Sequence, residues 1–232
     1  MAQAPGGESE GGGDLVRTGR TGGPSLTARP DGPFVRCPRD LLWLAVGIAV
    51  LVLSALPVSP GRAPAAERDA FRAVNDLPTV PLPPVWLVMQ LGNVVAVPLA
   101  TIVALLARRV RLAVAVALSG AATYWLAKVV KHFVVRGRPV TVLADVVIRG
   151  APSHGLGYVS GHAGVVTVLA FVAIPFLGPR WRWAVAVAAV VVCLTRVYVG
   201  AHLPLDMVGG AAVGLAVGAV TRLVPGRPAP CS

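Results

Sequence analysis

Two stretches decide the fold: LLWLAVGIAVLVLSALPV at residues 41–58 and VWLVMQLGNVVAVPLATIVALLA at residues 85–107. They run for 18 and 23 residues without a single charged side chain. A helix needs roughly 17–25 predominantly apolar residues to cross the hydrocarbon core of a bilayer, so both are long enough. Four further runs follow: Leu112–Ala127, the apolar part of Gly150–Pro179 from about Val159, Trp183–Thr195 and Met207–Thr221. Each is short alone. Each reaches about 20 residues only by admitting polar residues at one end, among them Lys128, Lys131, Ser160, His162, Arg196 and Asp206. Ionisable groups inside a span are costly, which makes them a functional hypothesis by default. The expected fold class is therefore all-α, a polytopic membrane protein with six transmembrane helices.

Composition agrees. Of 232 residues 55% are hydrophobic and 13% charged, about half the charge of an ordinary soluble domain, and the mean hydropathy is +0.72. Residues 1–39 hold nine Gly and five Pro with no apolar period, and read as a disordered cytoplasmic tail. They do not resemble a signal peptide, since the apolar stretch begins only at Leu41 and no cleavage-type site follows it. The membrane domain is expected over 40–225, with a short cytoplasmic tail over 226–232. Cys37, Cys193 and Cys231 have no motif spacing, so neither a disulfide framework nor a zinc site is expected.

The net charge of +11 suggests nucleic acid until its placement is considered. With the N-terminus inside, the cytoplasmic segments carry Arg36 and Arg39, then Arg108, Arg109 and Arg111, then Arg180 and Arg182, then Arg222 and Arg227. The first outer loop has Arg62, Arg68 and Arg72 balanced by Glu67, Asp69 and Asp76. The basic excess is largely a topology signal, and no nucleic-acid partner is expected. In the last span Gly210, Gly214 and Gly218 recur every four residues, a pattern that lets membrane helices approach closely.

This topology sends the unusual residues to one side, the outer face of the membrane. They are Lys131 to Arg138 and Pro139 after the third span, Ser160-Gly161-His162 opening the fourth, and Arg196 with His202 and Asp206 between the fifth and sixth. Three fixed cations, Lys131, Arg138 and Arg196, suit a phosphoryl group whose charge spreads in the transition state. Ser160 and the amides near Gly161 at a helix start add donors to the same anion. His202 and Asp206, four apart, allow the carboxylate to fix the imidazole tautomer and leave the other ring nitrogen as a nucleophile. His162 is then available to protonate the leaving alcohol. Each residue alone has a plainer reading: a snorkelling lysine, a loop arginine, a packed histidine, an acid favoured at a helix start. Two histidines and a carboxylate also fit a metal triad, although three surrounding cations repel a divalent ion. The conjunction on one face carries the argument.

These segments resemble the signature of the type-2 phosphatidic acid phosphatase superfamily, the lipid phosphate phosphatases with haloperoxidase-like cores. Its pattern is Lys, six residues, Arg-Pro; then Pro-Ser-Gly-His; then Ser-Arg, five residues, His, three residues, Asp. Lys131, Arg138 and Pro139, then Ser160, Gly161 and His162, then Arg196, His202 and Asp206 all fall at that spacing. Val159 stands where the family has Pro and Thr195 where it has Ser. The resemblance implies that His202 is the nucleophile forming a phosphohistidine, Asp206 its orienter and His162 the acid, later the base. It implies that Lys131, Arg138, Ser160, Gly161 and Arg196 bind phosphate, with no metal and no cofactor. His132, Arg136 and His154 match no position of the pattern, and Lys128 is ambiguous. Tyr124 and Trp125 fit an interfacial aromatic belt.

The expected protein is a cell-membrane, multi-pass, metal-independent phosphatase with cytoplasmic termini and an extracytoplasmic site. Its expected partners are the bilayer and a lipid phosphate: phosphatidate, phosphatidylglycerophosphate or a polyprenyl pyrophosphate. A lipid-linked phosphotransferase using the same histidine is one alternative. A transporter of anionic lipids is another, and would not need the His-Asp pair.

Overall fold

The computed structural model describes residues 34–224 and 226–228. The tail expected over residues 1–39 lies outside them up to residue 33. Phe34–Val35 (β1) pairs antiparallel with Arg227–Pro228 (β2), so the described fold begins before the boundary expected at residue 39 and runs past residue 225. Apart from these short strands the described architecture is helical.

Helix α1, Pro38–Ala55, opens on a proline, whose missing N–H costs nothing at a helix start. It ends just ahead of Pro57, which cannot continue the hydrogen-bond ladder. The loop after α1, expected as a mixed-charge connection, contains helix α2, Ala65–Asn75. Its buried residues Glu67, Phe71 and Asn75 are spaced by four, the repeat of an amphipathic helix lying on a surface.

The second uncharged run is not one helix. It forms α3, Leu82–Gln90, and α4, Ala96–Leu106, with a break between them. At the break the Asn93 side chain accepts from the Val95 amide at 3.2 Å and donates to Gln90 Oε1 at 3.0 Å, diverting groups that would otherwise extend the helix. Gly92 sits in the break against the fourth apolar run. A Cβ there would lie 2.8 Å from the His162 carbonyl oxygen and 2.9 Å from Val192.

Helix α5 spans Val110–Phe133 and takes in both Lys128 and Lys131, as the short-run argument requires. A one-turn helix, α6 (Pro139–Val142), leads into the loop before α7, Gly161–Ala173, which a 3-10 turn at Ile174–Phe176 prolongs. Then come α8, Pro179–Tyr198, and α9, Pro204–Leu223. Helices α1, α5, α8 and α9 are long and apolar enough to cross a membrane, while α4 and α7 with its 3-10 turn are shorter apolar helices.

Helix α9 is the centre, packed between α1 and α7. The glycine seam faces α7: a Cβ at Gly210 would lie 2.3 Å from the Ser160 carbonyl oxygen, and one at Gly214 2.4 Å from that of Gly164. Backbones this close leave no room for a side chain, and that proximity is how apolar helices associate where lipid supplies no hydrophobic drive. Large apolar residues such as Leu42, Leu53, Leu87, Leu99, Val103, Leu118 and Trp183 point outward, whereas Arg136, Ser160, Arg196 and Asp206 are buried. A polar interior inside an apolar coat is the solution for a protein whose solvent is lipid. The cysteines correct one expectation: Cys37 is disulfide-bonded and buried. The cysteines have no motif spacing, so sequence alone carries no signal for that bond. Cys193 is free, and Cys231 lies outside the described residues.

Candidate active site

The segments singled out by sequence meet at one end of the bundle. His202 lies in the turn between α8 and α9, only 3% exposed. Pro204 starts α9, and the next turn brings Asp206 back under the histidine. Its Oδ2 lies 3.3 Å from His202 Nδ1 and accepts from the Leu203 amide at 2.9 Å. One carboxylate oxygen thus closes the helix start and orients the ring. Asp206 is fully buried, and its main-chain oxygen accepts from the Ser160 amide at 2.8 Å, locking the starts of α7 and α9 together.

Ser160 caps α7, its Oγ accepting from the Ala163 amide at 3.5 Å. A Cβ at Gly161 would meet nothing within 4 Å. The space beside Gly161 is open, and the start of α7 is the positive end of a helix, which suits an anion. His162 follows on the first turn, within electrostatic reach of Arg196, His202 and Arg138.

The three cations are held by neutral partners. Lys131 Nζ donates to the carbonyls of Leu156 at 2.9 Å and Gly157 at 3.0 Å. Arg138 donates from Nε to the His154 carbonyl at 2.7 Å and from Nη1 to that of Ala201 at 2.9 Å. Arg196, nearly buried, reaches only the Met89 sulfur, at 3.7 Å, and its Nε has no hydrogen-bond partner among the described residues. Buried guanidinium donors normally find partners; the Nε atoms of Arg136 and Arg149 are also without one, and what sets Arg196 apart is that its one hydrogen bond among the described residues goes to sulfur.

His202 feels all of this. Burial pushes its pKa well below the ordinary histidine value, with Arg196, Lys131 and Arg138 pushing the same way and the Gly157 carbonyl opposing. Its resting form is the neutral imidazole, which carries the lone pair a nucleophile needs. Burial also draws Arg138 down from its ordinary value, Asp206 opposing.

All eight residues chosen from sequence fall at this end of the bundle. Lys128 does not join them: it is exposed, its ammonium over the Tyr124 and Trp125 rings at 4.5 and 5.0 Å. The His154 side chain is exposed, and only its carbonyl takes part. Sequence reasoning missed Glu67, Arg136 and Gly157. Arg136 is fully buried, donating to Glu67 at 3.0 and 2.5 Å and to Asp206 Oδ1 at 3.4 Å. The signal available was weak: an arginine two residues before Arg138, and a glycine in a Gly-rich loop. A Cβ at Gly157 would lie 2.9 Å from Asp206 Oδ2, so that position is packed against the site.

Residues 108–228 match the PAP2 superfamily. Over 119 residues the chain is 28% identical to an undecaprenyl-diphosphatase of Sulfolobus acidocaldarius, covering 51% of this chain and 57% of that protein. Over 106 residues it is 34% identical to a lipid A 1-phosphatase of Rhizobium johnstonii, covering 44% and 43%. The chain therefore matches about half the length of these curated relatives. Among solved structures it is similar to Aquifex aeolicus LpxE, with a TM-score of 0.59 at 23% identity, covering 70% of this chain and 98% of that one. It is also similar to a transmembrane PAP2-type phosphatidylglycerolphosphate phosphatase of Bacillus subtilis, with a TM-score of 0.58 at 20% identity, covering 79% and 94%.

Proposed function

The chain belongs to the PAP2 superfamily, and from that premise we propose that it hydrolyses the terminal phosphoryl group of a lipid phosphate at the outer face of a six-span membrane fold. The observation that carries this reading is the convergence of Lys131, Arg138 and Arg196 on a buried histidine, with their donors resting on carbonyls or unfilled. An anion with three equatorial oxygens meets that need. A carboxylate beside the ring separates this site from one that only binds.

In the proposed reaction His202 Nε2 attacks phosphorus as the bond to the lipid oxygen breaks. His162 gives its proton to that oxygen, and the lipid alcohol, or the lipid monophosphate from a diphosphate, departs. Water then attacks the phosphohistidine, His162 takes the proton, the phosphorus–nitrogen bond breaks and inorganic phosphate leaves. Asp206 holds the ring and offsets its positive charge during the first step. Lys131, Arg138, Arg196, Ser160 and the amides from Gly161 hold the equatorial oxygens. The relatives are named for undecaprenyl diphosphate, lipid A and phosphatidylglycerolphosphate, which share a terminal phosphoryl group on a lipid. The outer placement is supported by the arginines of the 108–111 turn at the opposite ends of the same helices.

The test is phosphate release from a panel of lipid phosphates in detergent with EDTA present, wild type beside His202→Ala. Release that survives EDTA and falls by roughly 10⁴-fold or more in the variant is the expected result. Strict dependence on added metal, or equal release by both proteins, would sink the mechanism.

A further inference from the structure

Asp206 has two jobs that compete. Its Oδ2 orients His202, while its Oδ1 faces the fully buried guanidinium of Arg136, 3.4 Å away. An isolated arginine in that position would draw the carboxylate's charge toward itself and away from the imidazole, because Coulomb attraction is strong where water is excluded. Arg136 is not isolated. Glu67, from surface helix α2, grips it through both carboxylate oxygens, at 3.0 and 2.5 Å, in the fork geometry that makes arginine–carboxylate pairs strong. Glu67 Oε1 also accepts from the Leu205 amide at 2.9 Å, fixing the acid to the first turn of α9 beside Asp206 itself.

We propose that Glu67 and Arg136 form a positioning pair for the nucleophile. Arg136 holds Asp206 in place, and Glu67 neutralises Arg136 so that the charge of Asp206 remains directed at His202. Neither residue touches the phosphoryl group, and both act through Asp206. The pair divides the cations around the site into two kinds. Lys131, Arg138 and Arg196 lie on neutral carbonyls or sulfur and keep their charge for substrate, while the charge of Arg136 is matched by Glu67. The inference rests on the phosphohistidine reading, since positioning a nucleophile has meaning only if His202 is one.

The groups facing His202 are Lys131 from α5, Arg138 ahead of α6, His162 from α7, Arg196 from α8 and Asp206 from α9. Against that constant set, two variants move the potential at the ring in opposite senses. Glu67→Gln keeps an oxygen for the Leu205 amide but leaves the Arg136 charge to Asp206 alone. The ring then becomes less basic. The double variant Glu67→Gln/Arg136→Gln removes both charges and leaves Asp206 to the histidine, so the ring becomes more basic.

The experiment is proton–nitrogen NMR of histidine-labelled full-length protein in detergent, with the His202 resonance assigned by its loss in His202→Gln, alongside the pH profile of phosphate release. Glu67→Gln should move the His202 Nδ1 proton upfield and the acid limb of kcat/KM to lower pH. Its kcat should fall roughly 10- to 100-fold with KM little changed, the usual size when the outer partner of an oriented histidine is lost. The double variant should move the proton downfield and the limb to higher pH. Shifts in the same direction, or none, overturn the proposal. If Glu67→Gln fails to fold, the charge-free double variant carries the test by itself. The NMR readout needs no turnover: a wild type without phosphatase activity defeats the phosphohistidine reading, whereas an active wild type with unmoved resonances defeats the positioning pair.

Discussion

The two ends of the helical bundle use arginine in opposite ways. At the end reached by residues 36, 109 and 222, arginines fasten chain to chain. Arg222 pairs with Asp40 at 3.6 Å, stacks 3.6 Å from the centre of the Phe171 ring and donates to the Phe171 carbonyl. Arg109 donates to the Phe176 carbonyl at 2.9 Å. At the other end Arg138 and Arg196 lie beside each other and beside Lys131, within reach of like charge; Asp206 acts on Lys131 and Arg138 only from a distance, its ion pairs among the described residues being with Arg136 and His202. At the first end the side chain is a staple, held by an acid, a ring or a carbonyl; at the second it is gathered with like charge beside a histidine. Burial does not tell the two settings apart, for Arg196 and Arg222 are both 6% exposed.

That contrast can be broken at either end. The largest effect is expected from Arg196→Ala, which should lower kcat/KM for phosphate release by roughly 10²–10³-fold, as for the loss of one transition-state donor. Its thermal midpoint should hold, and a fall in stability matching the fall in rate would make Arg196 a staple after all. Next is Gly214→Val, where added carbons meet the Gly164 backbone. Unfolding in detergent should show a loss of about 1–3 kcal/mol, as overpacking does, with kcat/KM per folded molecule preserved. Arg222→Lys keeps the charge but loses the planar stack on Phe171, so about 0.5–2 kcal/mol of stability should go. A change in kcat/KM there would blur the two ends. The smallest effect concerns pH. Arg138 is among the cations that lower the pKa of His202, so Arg138→Gln should raise the acid limb of kcat/KM, whatever it does to the rate. A limb that stays or drops would mean Arg138 does not act on the nucleophile.

Much of the site was legible in sequence because its residues come in three short runs, each fixed by one helix end. Lys131 closes α5, Ser160 opens α7, Arg196 closes α8 and Asp206 opens α9. Helical spacing then needs only the topology to bring them together. Glu67 and Arg136 were illegible for the converse reason. Along the chain Glu67 is balanced by Arg68 and Arg72 and looks like part of a solvated loop, while its partner stands 69 residues away. The break between α3 and α4 was hidden too, since hydropathy averages over Gln90 and Asn93 and reports one run. The disulfide at Cys37 was hidden as well, because the cysteines have no motif spacing.

Gly92 bears no functional group, donates nothing to substrate and lies in the break of a different span. Yet its missing Cβ is the space that the His162 main chain occupies. In a saturation mutational scan scored by activity, position 92 would therefore group with His162, and alanine would score almost as badly as a larger residue. The place of His162 is written partly in a residue that has no chemistry, and a reader of such a scan who looked only for reactive side chains would misassign it.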